Sequence, residues 1–129
     1  MVFKINKNCY EIVCLTLKNT PELYDLTKMI NFVIEEHQVI CCPLEDITAS
    51  NVSAMYDLLV QKLAEINHWE LLVLDCQKVK ILDSIGVNLI IGLCKKAKAV
   101  ESVFKVSHCN ESITKVLNLF KLDRQFLIE

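Results

Sequence analysis

The sequence predicts an α/β domain in which a mainly parallel β-sheet packs against α-helices. From residue 30 onward, strand-like and helix-like segments alternate in the order β-β-α-β-α-β-α, and one more short strand can follow. Leu71–Leu74 is a continuous apolar run, typical of a strand that is buried on both faces. Apolar residues recurring at three- and four-residue intervals predict helices near 51–66, 84–99 and 111–121. Such alternation implies parallel strands joined by right-handed crossovers.

Each element can be placed along the chain. The predicted strands are Phe32–Glu35, Val39–Leu44, Leu71–Leu74, Val103–Val106 and Phe126–Ile128. The buried stripes of the three helices are Val52, Met55, Leu59, Leu63 and Ile66; Val87, Ile90, Ile91, Cys94 and Ala97; and Ile113, Val116, Leu117 and Phe120. Asn110 is placed to cap the third helix. We divide the chain into an N-terminal extension, residues 1–29, with a strand or hairpin and a short helix, and one domain over residues 30–129.

Composition and charge exclude several classes of function. The chain has 129 residues, of which 53% are hydrophobic and 23% charged, as expected of one folded domain. Its formal net charge is −2 and it has no basic stripe, so we expect no nucleic-acid partner. It shows no secretory signal and no apolar run near the ~20 residues of a membrane helix, so we expect a cytoplasmic protein without membrane insertion.

The sequence has seven cysteines, an odd number, and this raises the question of a metal or redox site. None belongs to a C-x-x-C pair, and Cys41 and Cys42 are adjacent, which suits neither a thioredoxin-like motif nor paired zinc ligands. His108 and Cys109 are the single close histidine–cysteine neighbours in the sequence. We therefore expect reduced thiols that serve mostly as small core side chains, with no metal and no cofactor. A metal or redox site is the alternative, and a thiol-dependent enzyme would rest on cysteine number alone.

The segment Asp83-Ser84-Ile85-Gly86 opens the second predicted helix. Asp83 or Ser84 can accept hydrogen bonds from the free N–H groups of the first turn, and Gly86 permits close approach of another backbone. An ordinary helix cap explains the same residues, because Asp-Ser-x-Gly is too short to be specific. Ahead of it, Asp75 is expected to end a strand and cap a loop. This loop holds Val79 and Ile81 and is expected to return to the body of the domain.

The wider run from Leu71 to Ala99 resembles a known family. L-L-V-L-D followed by D-S-I-G-V-N-L-I-I-G-L-C-K-K-A-K-A is similar to the STAS domain of bacterial anti-sigma factor antagonists. The similarity continues through S-H-C-N-E-S at Ser107–Ser112, then Val116-Leu117 and Leu122-Asp123. It covers about residues 30–129, and its specificity comes from several motifs in order at matching spacing.

The resemblance implies a mechanism. Members of that family bind an anti-sigma factor that is also a serine kinase, and binding is lost when the kinase phosphorylates the serine of Asp-Ser-x-Gly. Carried over by position, Ser84 is the phosphoacceptor. The implied partner-binding residues are Asp83, Ser84, Ile85, Gly86, Glu45, Asp46 and Thr48. The sequence departs from the family at two of them: Ile85 replaces a second Ser or Thr, and Thr48 replaces a usual Asp, for which Glu45 and Asp46 are the substitutes.

Taken together, these features favour a protein-binding switch that is not an enzyme and acts in bacterial transcription regulation. Its expected partners are an anti-sigma factor with serine kinase activity and, further, a phosphatase, and it is expected to be a monomer or weak dimer. The alternative is a non-catalytic STAS scaffold or small-ligand sensory module in a larger signalling assembly. Ile85, Thr48 and the unmatched N-terminal extension favour this alternative.

Overall fold

A computed structural model describes residues 29–129, which form a five-stranded sheet and three α-helices. The strands are β1 (Ile30–Glu35), β2 (Gln38–Pro43), β3 (Leu71–Asp75), β4 (Val103–Ser107) and β5 (Leu127–Ile128). The helices are α1 (Val52–Ala64), α2 (Val87–Ala99) and α3 (Glu111–Leu119), and a 3₁₀ turn covers Leu122–Arg124. The predicted α/β fold and its order of elements are confirmed. The strand or hairpin and the helix predicted ahead of residue 29 lie outside the described residues.

The sheet has the strand order β1-β2-β3-β4-β5. β1 and β2 form an antiparallel hairpin, whose turn residue Glu36 adopts a left-handed φ of 52°. The remaining neighbours pair in parallel, and each parallel connection carries one helix. The carboxyl ends of β2, β3 and β4 therefore lie along the same edge of the sheet. The loops that follow these strands meet at that edge, where α/β proteins commonly bind their ligands.

All three helices pack on one face of the sheet. Successive side chains of a strand point to opposite faces of the sheet. The strand side chains on one face belong to the same core cluster as the apolar stripes of the helices. This set is Ile30, Phe32, Val39, Cys41, Leu72, Leu74, Phe104 and Val106. The matching helix residues include Met55, Leu59, Ile90, Leu93, Ile113 and Leu117, all fully buried. The intervening strand residues, among them Cys42 and Asp75, point to the opposite face.

Three local details differ from the sequence-based expectation. The helix predicted from residue 84 begins at Val87, after a hydrogen-bonded turn over Ser84–Gly86. The helix predicted to reach residue 121 ends at Leu119, because Lys121 takes a left-handed φ of 58°. Phe120, which was predicted on the buried stripe of this helix, therefore lies past its end and is 41% exposed. The loop that holds Val79 and Ile81 returns to the body of the domain as predicted, with Val79 buried, but the side chain of Ile81 is 55% exposed.

Among residues 29–129, no helix combines the length and the apolar character needed to cross a membrane.

Candidate functional site

The candidate site is formed by two loops that run side by side at the carboxyl edge of the sheet. The first loop follows β2 and the second follows β3. Ile47 and Leu82 form an isolated parallel bridge between them. The Ile47 N–H donates to the carbonyl of Ile81 at 3.0 Å, and the Asp83 N–H donates to the carbonyl of Ile47 at 3.3 Å. The backbone itself therefore places the Asp83 segment beside residues 46–49.

Asp83 caps the turn before α2 and ties the two loops together. Its Oδ1 accepts a hydrogen bond from the Gly86 N–H at 2.6 Å, and its Oδ2 accepts one from the Ala49 N–H at 3.0 Å. The N–H of Gly86, and then that of Ala49, hold the pKa of the Asp83 carboxyl below its ordinary value, because both bonds favour the charged form. The predicted cap is thus supplied by Asp83, and not by Ser84.

Gly86 allows α2 to begin directly against the first loop. A Cβ atom at this position would collide with the carbonyl oxygen of Ile47 and lie 2.7 Å from its carbonyl carbon. Real Cβ atoms essentially never show such contacts, and the opposing atoms belong to a backbone held on both sides of the bridge. The close approach predicted for Gly86 is therefore present, with Ile47 as its partner.

Ser84 follows the cap and projects from the turn. Its side chain is exposed, and within the described part of the chain its hydroxyl makes no hydrogen bond. Ile85 beside it is 49% exposed, and Ile81 in the same loop is 55% exposed. An accessible hydroxyl thus stands among apolar side chains that are unusually exposed for their type. Sequence reasoning missed Ile81, since nothing in the residue pattern separates it from the buried Val79.

The first loop contributes the remaining candidates in different ways. Asp46 uses its Oδ1 to accept the N–H groups of Lys80, at 2.9 Å, and Ile81, at 3.1 Å, so this carboxylate braces the second loop. Thr48 lies between the two residues that bond Asp83, and its hydroxyl is 3.2 Å from that of Ser50. Glu45 is exposed at the start of the loop. The structure therefore places Thr48 next to Asp83, and Asp46 holds the second loop through its hydrogen bonds to Lys80 and Ile81.

Comparison with known proteins places this arrangement in a family. The sequence-family model of the STAS domain matches residues 26–129 of this chain. The chain belongs to the STAS domain family. No curated protein matches it.

Solved structures share the fold of this STAS domain. A candidate anti-sigma factor antagonist from Thermotoga maritima superposes with a TM-score of 0.70 at 22% identity, covering 78% of this chain and 86% of that one. An anti-sigma factor antagonist from Mycobacterium paratuberculosis gives 0.67 at 18% identity, covering 77% and 83%. The anti-sigma factor antagonist SpoIIAA, in its unphosphorylated form, gives 0.65 at 13% identity, covering 78% and 87%. At these identities the similarity establishes the fold.

Asp75 and His108, at the ends of β3 and β4, contact each other and not the Ser84 turn. Asp75 ends β3 as predicted, and its Oδ1 accepts the Gln77 N–H at 3.1 Å. The same carboxylate lies 2.9 Å from Nδ1 of the exposed His108. Asp75 and Asp83 thus have separate partners and do not form a carboxylate pair. Across residues 29–129, no three His, Cys, Asp or Glu side chains are grouped to hold a metal ion.

The five described cysteines are free thiols. Cys41, Cys76 and Cys94 are buried, as predicted for small core side chains, whereas Cys42 and Cys109 are half-buried. Cys42, Cys76 and Cys109 all lie at the carboxyl edge of the sheet, at the ends of β2, β3 and β4.

Proposed function

We propose that this STAS domain is a binding switch of the anti-sigma factor antagonist type, which binds an anti-sigma factor with serine kinase activity and is released by phosphorylation at Ser84. The observation that carries the proposal is the exposed Ser84 hydroxyl, free of hydrogen bonds within the described residues and set on a rigid turn between the Asp83 cap and the exposed Ile85. A kinase must reach its acceptor hydroxyl, and this geometry leaves the hydroxyl open. The family and the antagonists among the similar structures support the same class of partner.

The surface around Ser84 suits a protein partner. Ile81 and Ile85 expose apolar area next to polar groups of Thr48 and Glu45 in the neighbouring loop. Apolar patches bordered by polar residues are characteristic of protein-docking surfaces. We propose that Asp83 and Gly86 fix the shape of this surface, while Ser84, Ile85, Glu45 and Thr48 face the partner and Asp46 holds Ile81 in place.

Phosphorylation would change this surface electrostatically without breaking the fold. A phosphate adds roughly −1.5 to −2 charges at neutral pH. It would stand directly after Asp83, whose ionised form the surrounding N–H groups stabilise. Since Ser84 bonds neither the cap nor the loop, the added group displaces no internal contact. The new charge would instead have to be desolvated against the partner, which disfavours the complex.

This function requires binding and not catalysis by the STAS domain itself. The proposed setting is the bacterial cytoplasm, in a transcription-regulating pathway, with a phosphatase to regenerate the binding form. A monomer or weak dimer leaves the Ser84 surface free for the partner.

The decisive experiment compares binding of the unmodified and phosphorylated protein. A pull-down with mass spectrometry first identifies the partner, and titration calorimetry then measures its dissociation constant. We expect phosphorylation to weaken binding about tenfold or more, which corresponds to about 1.4 kcal/mol. Ser84→Ala should bind like the wild type and resist both modification and release. Ser84→Asp should weaken binding less than phosphate, because it adds one charge.

Ser53→Ala is the matched control, since Ser53 is also exposed at a helix start, in the first turn of α1. This variant should still be modified and released. Equal affinity of the two wild-type forms would remove the switch and favour the scaffold or sensory module.

A further inference from the structure

Two cysteine thiols meet where β3 and β4 end. Asp75 and Ser107 are the last register partners of these parallel strands, and the Cys76 N–H donates to the Ser107 carbonyl at 2.8 Å. Cys109 follows two residues after Ser107, and its N–H donates to the carbonyl of Glu129 at 3.0 Å. Backbone bonds therefore hold both residues at the ends of neighbouring strands, and their two thiols lie close enough to affect each other's acidity.

A left-handed turn at His108 lies between the end of β4 and Cys109. His108 has a left-handed φ of 58°, uncommon for a residue with a side chain, and its imidazole is held by Asp75 at 2.9 Å. After this turn Cys109 packs against the core cluster to which Cys76 belongs. Cys76 lies one residue beyond the register pair of Asp75 and Ser107, and Cys109 lies two residues beyond it, so the two cysteines follow neighbouring strands at the same end of the sheet.

The two thiols differ in exposure and acidity. Cys109 is half-buried, whereas Cys76 is 1% exposed. The neighbouring Cys76 thiol lowers the pKa of the Cys109 thiol, and the same interaction, together with burial, raises the pKa of Cys76. An accessible thiol of lowered pKa beside a second thiol is the arrangement found where cysteines are reversibly oxidised.

We propose that Cys76 and Cys109 form a redox modification site, at which a hydroperoxide oxidises Cys109 and Cys76 then closes an intramolecular disulfide. The Cys109 thiolate attacks one oxygen of the peroxide, and the O–O bond breaks. The Cys109 sulfur becomes a sulfenic acid. With hydrogen peroxide, the other oxygen takes up a proton and leaves as water. The Cys76 sulfur then displaces the hydroxyl from the Cys109 sulfur. The S–S bond forms, the S–O bond breaks, and the proton of Cys76 leaves in a second water. The two thiols lose two electrons, which the peroxide accepts.

The loop that carries the candidate docking site lies next to this thiol pair. Asn110, the residue after Cys109, donates from Nδ2 to the carbonyls of Val79, at 3.4 Å, and Lys80, at 3.2 Å. The disulfide would add a covalent link between the start of that loop and the β4–α3 turn. The oxidation itself does not depend on whether Ser84 is phosphorylated.

The test maps disulfides in the full chain after mild oxidation. Reduced protein is treated with stoichiometric hydrogen peroxide, free thiols are blocked with N-ethylmaleimide, and tryptic peptides are analysed without reduction. Cys76 and Cys109 fall in separate peptides, residues 63–78 and 106–115. We expect these two peptides joined and lighter by two hydrogens, separated again by dithiothreitol. A circular dichroism spectrum like that of the reduced protein would show that the fold persists.

Variants separate the roles of the two thiols. Cys109→Ser should abolish the cross-linked peptide, and Cys76→Ser should leave a Cys109 sulfenic acid that dimedone traps. Cys42→Ser is the control, because Cys42 is also half-buried at this edge but points to the opposite face of the sheet; it should leave the cross-link unchanged. Wild-type protein that loses thiols to peroxide without joining peptides 63–78 and 106–115 would overturn the proposal.

Discussion

Gly86 and Ile47 are in such close contact that no side chain fits between them. The missing Cβ would overlap the Ile47 carbonyl oxygen, and this oxygen already accepts the N–H of Asp83. The contact therefore fixes how far α2 stands from the first loop, and with it the position of the Ser84 turn. The fold therefore requires glycine at position 86 because of the Ile47 backbone, whether or not a partner binds the Asp83–Gly86 segment.

We expect Gly86→Ala to destabilise the protein by about 1–3 kcal/mol, the usual cost of forcing atoms into a packed site. Urea unfolding measures the effect. Gly92→Ala is the matched control, because the nearest atoms to its Cβ would be those of the Tyr56 ring, at 2.7 Å from Cε1, and a side chain can move aside. Alanine also favours the interior of α2 by about 1 kcal/mol over glycine. Equal losses in the two variants would contradict the role assigned to the Ile47 carbonyl.

The Asp83 cap predicts a pH dependence with a definite sign. The pKa of Asp83 is held below its ordinary value of 3.8 by the N–H of Gly86 and then by that of Ala49, and unfolding removes both bonds. The stability that the charged form supplies is therefore fully present above this ordinary value, which applies to the unfolded chain. It is lost as the pH falls through the lower, folded pKa.

We expect Asp83→Asn to be less stable than the wild type at pH 7, and the gap in unfolding free energy to close as the pH is lowered below about 4. Urea unfolding at several pH values measures it. Asp57→Asn is the control, since Asp57 is exposed on α1; this variant should stay within about 0.5 kcal/mol of the wild type at pH 7. A gap for Asp83→Asn that is the same at pH 7 and pH 3 would argue against a charged cap.

Asn110 should stabilise the fold through both polar atoms of its side chain, Oδ1 and Nδ2. Its Oδ1 accepts the Ile113 N–H at 2.8 Å and caps α3, while its Nδ2 reaches the carbonyls of Val79 and Lys80. We expect Asn110→Ala to cost about 0.5–2 kcal/mol, as losses of N-caps do. Thermal unfolding checks this against Asn118→Ala, which changes an exposed position near the end of the same helix. A loss no larger than that of Asn118→Ala would refute the capping role.

The fold was predictable because its signals are local and repeated. The apolar run at Leu71–Leu74 and the three helical stripes each report burial within one element, and alternation of strands and helices limits the topology. The cap at Asp83 and the close approach at Gly86 followed from helix-terminus chemistry. Their actual partners did not, because Ala49 and Ile47 belong to a loop more than thirty residues away in sequence.

What the sequence could not supply was the tertiary placement of individual loop residues. Val79 and Ile81 are both β-branched apolar residues of the same loop, yet only Val79 is buried. The Asp46 carboxylate, which lies in the other loop, holds the N–H groups of Lys80 and Ile81. The meeting of Cys76 and Cys109 was hidden for a similar reason. It depends on the strand register and on the left-handed turn at His108, neither of which cysteine spacing reveals.

The exposed side chains of Ile81 and Ile85 lead to a last prediction, in which a substitution weakens partner binding without lowering the stability of the fold. Ile81 and Ile85 leave about half of their side chains in water next to Ser84, so an acidic residue at position 85 should not disturb the core. Under the proposed function, Ile85→Asp places a charge where a partner would bury apolar surface. The few interface residues that cost more than about 1 kcal/mol when changed cluster near the centre of the interface. If Ile85 is one of these central residues, the dissociation constant should rise about tenfold while the melting temperature stays unchanged. Leu119→Asp is the control, because Leu119 is 78% exposed at the end of α3, at the opposite edge of the sheet from Ser84. Titration calorimetry with the captured partner should show normal binding for Leu119→Asp, and normal binding by Ile85→Asp as well would exclude Ile85 from the interface.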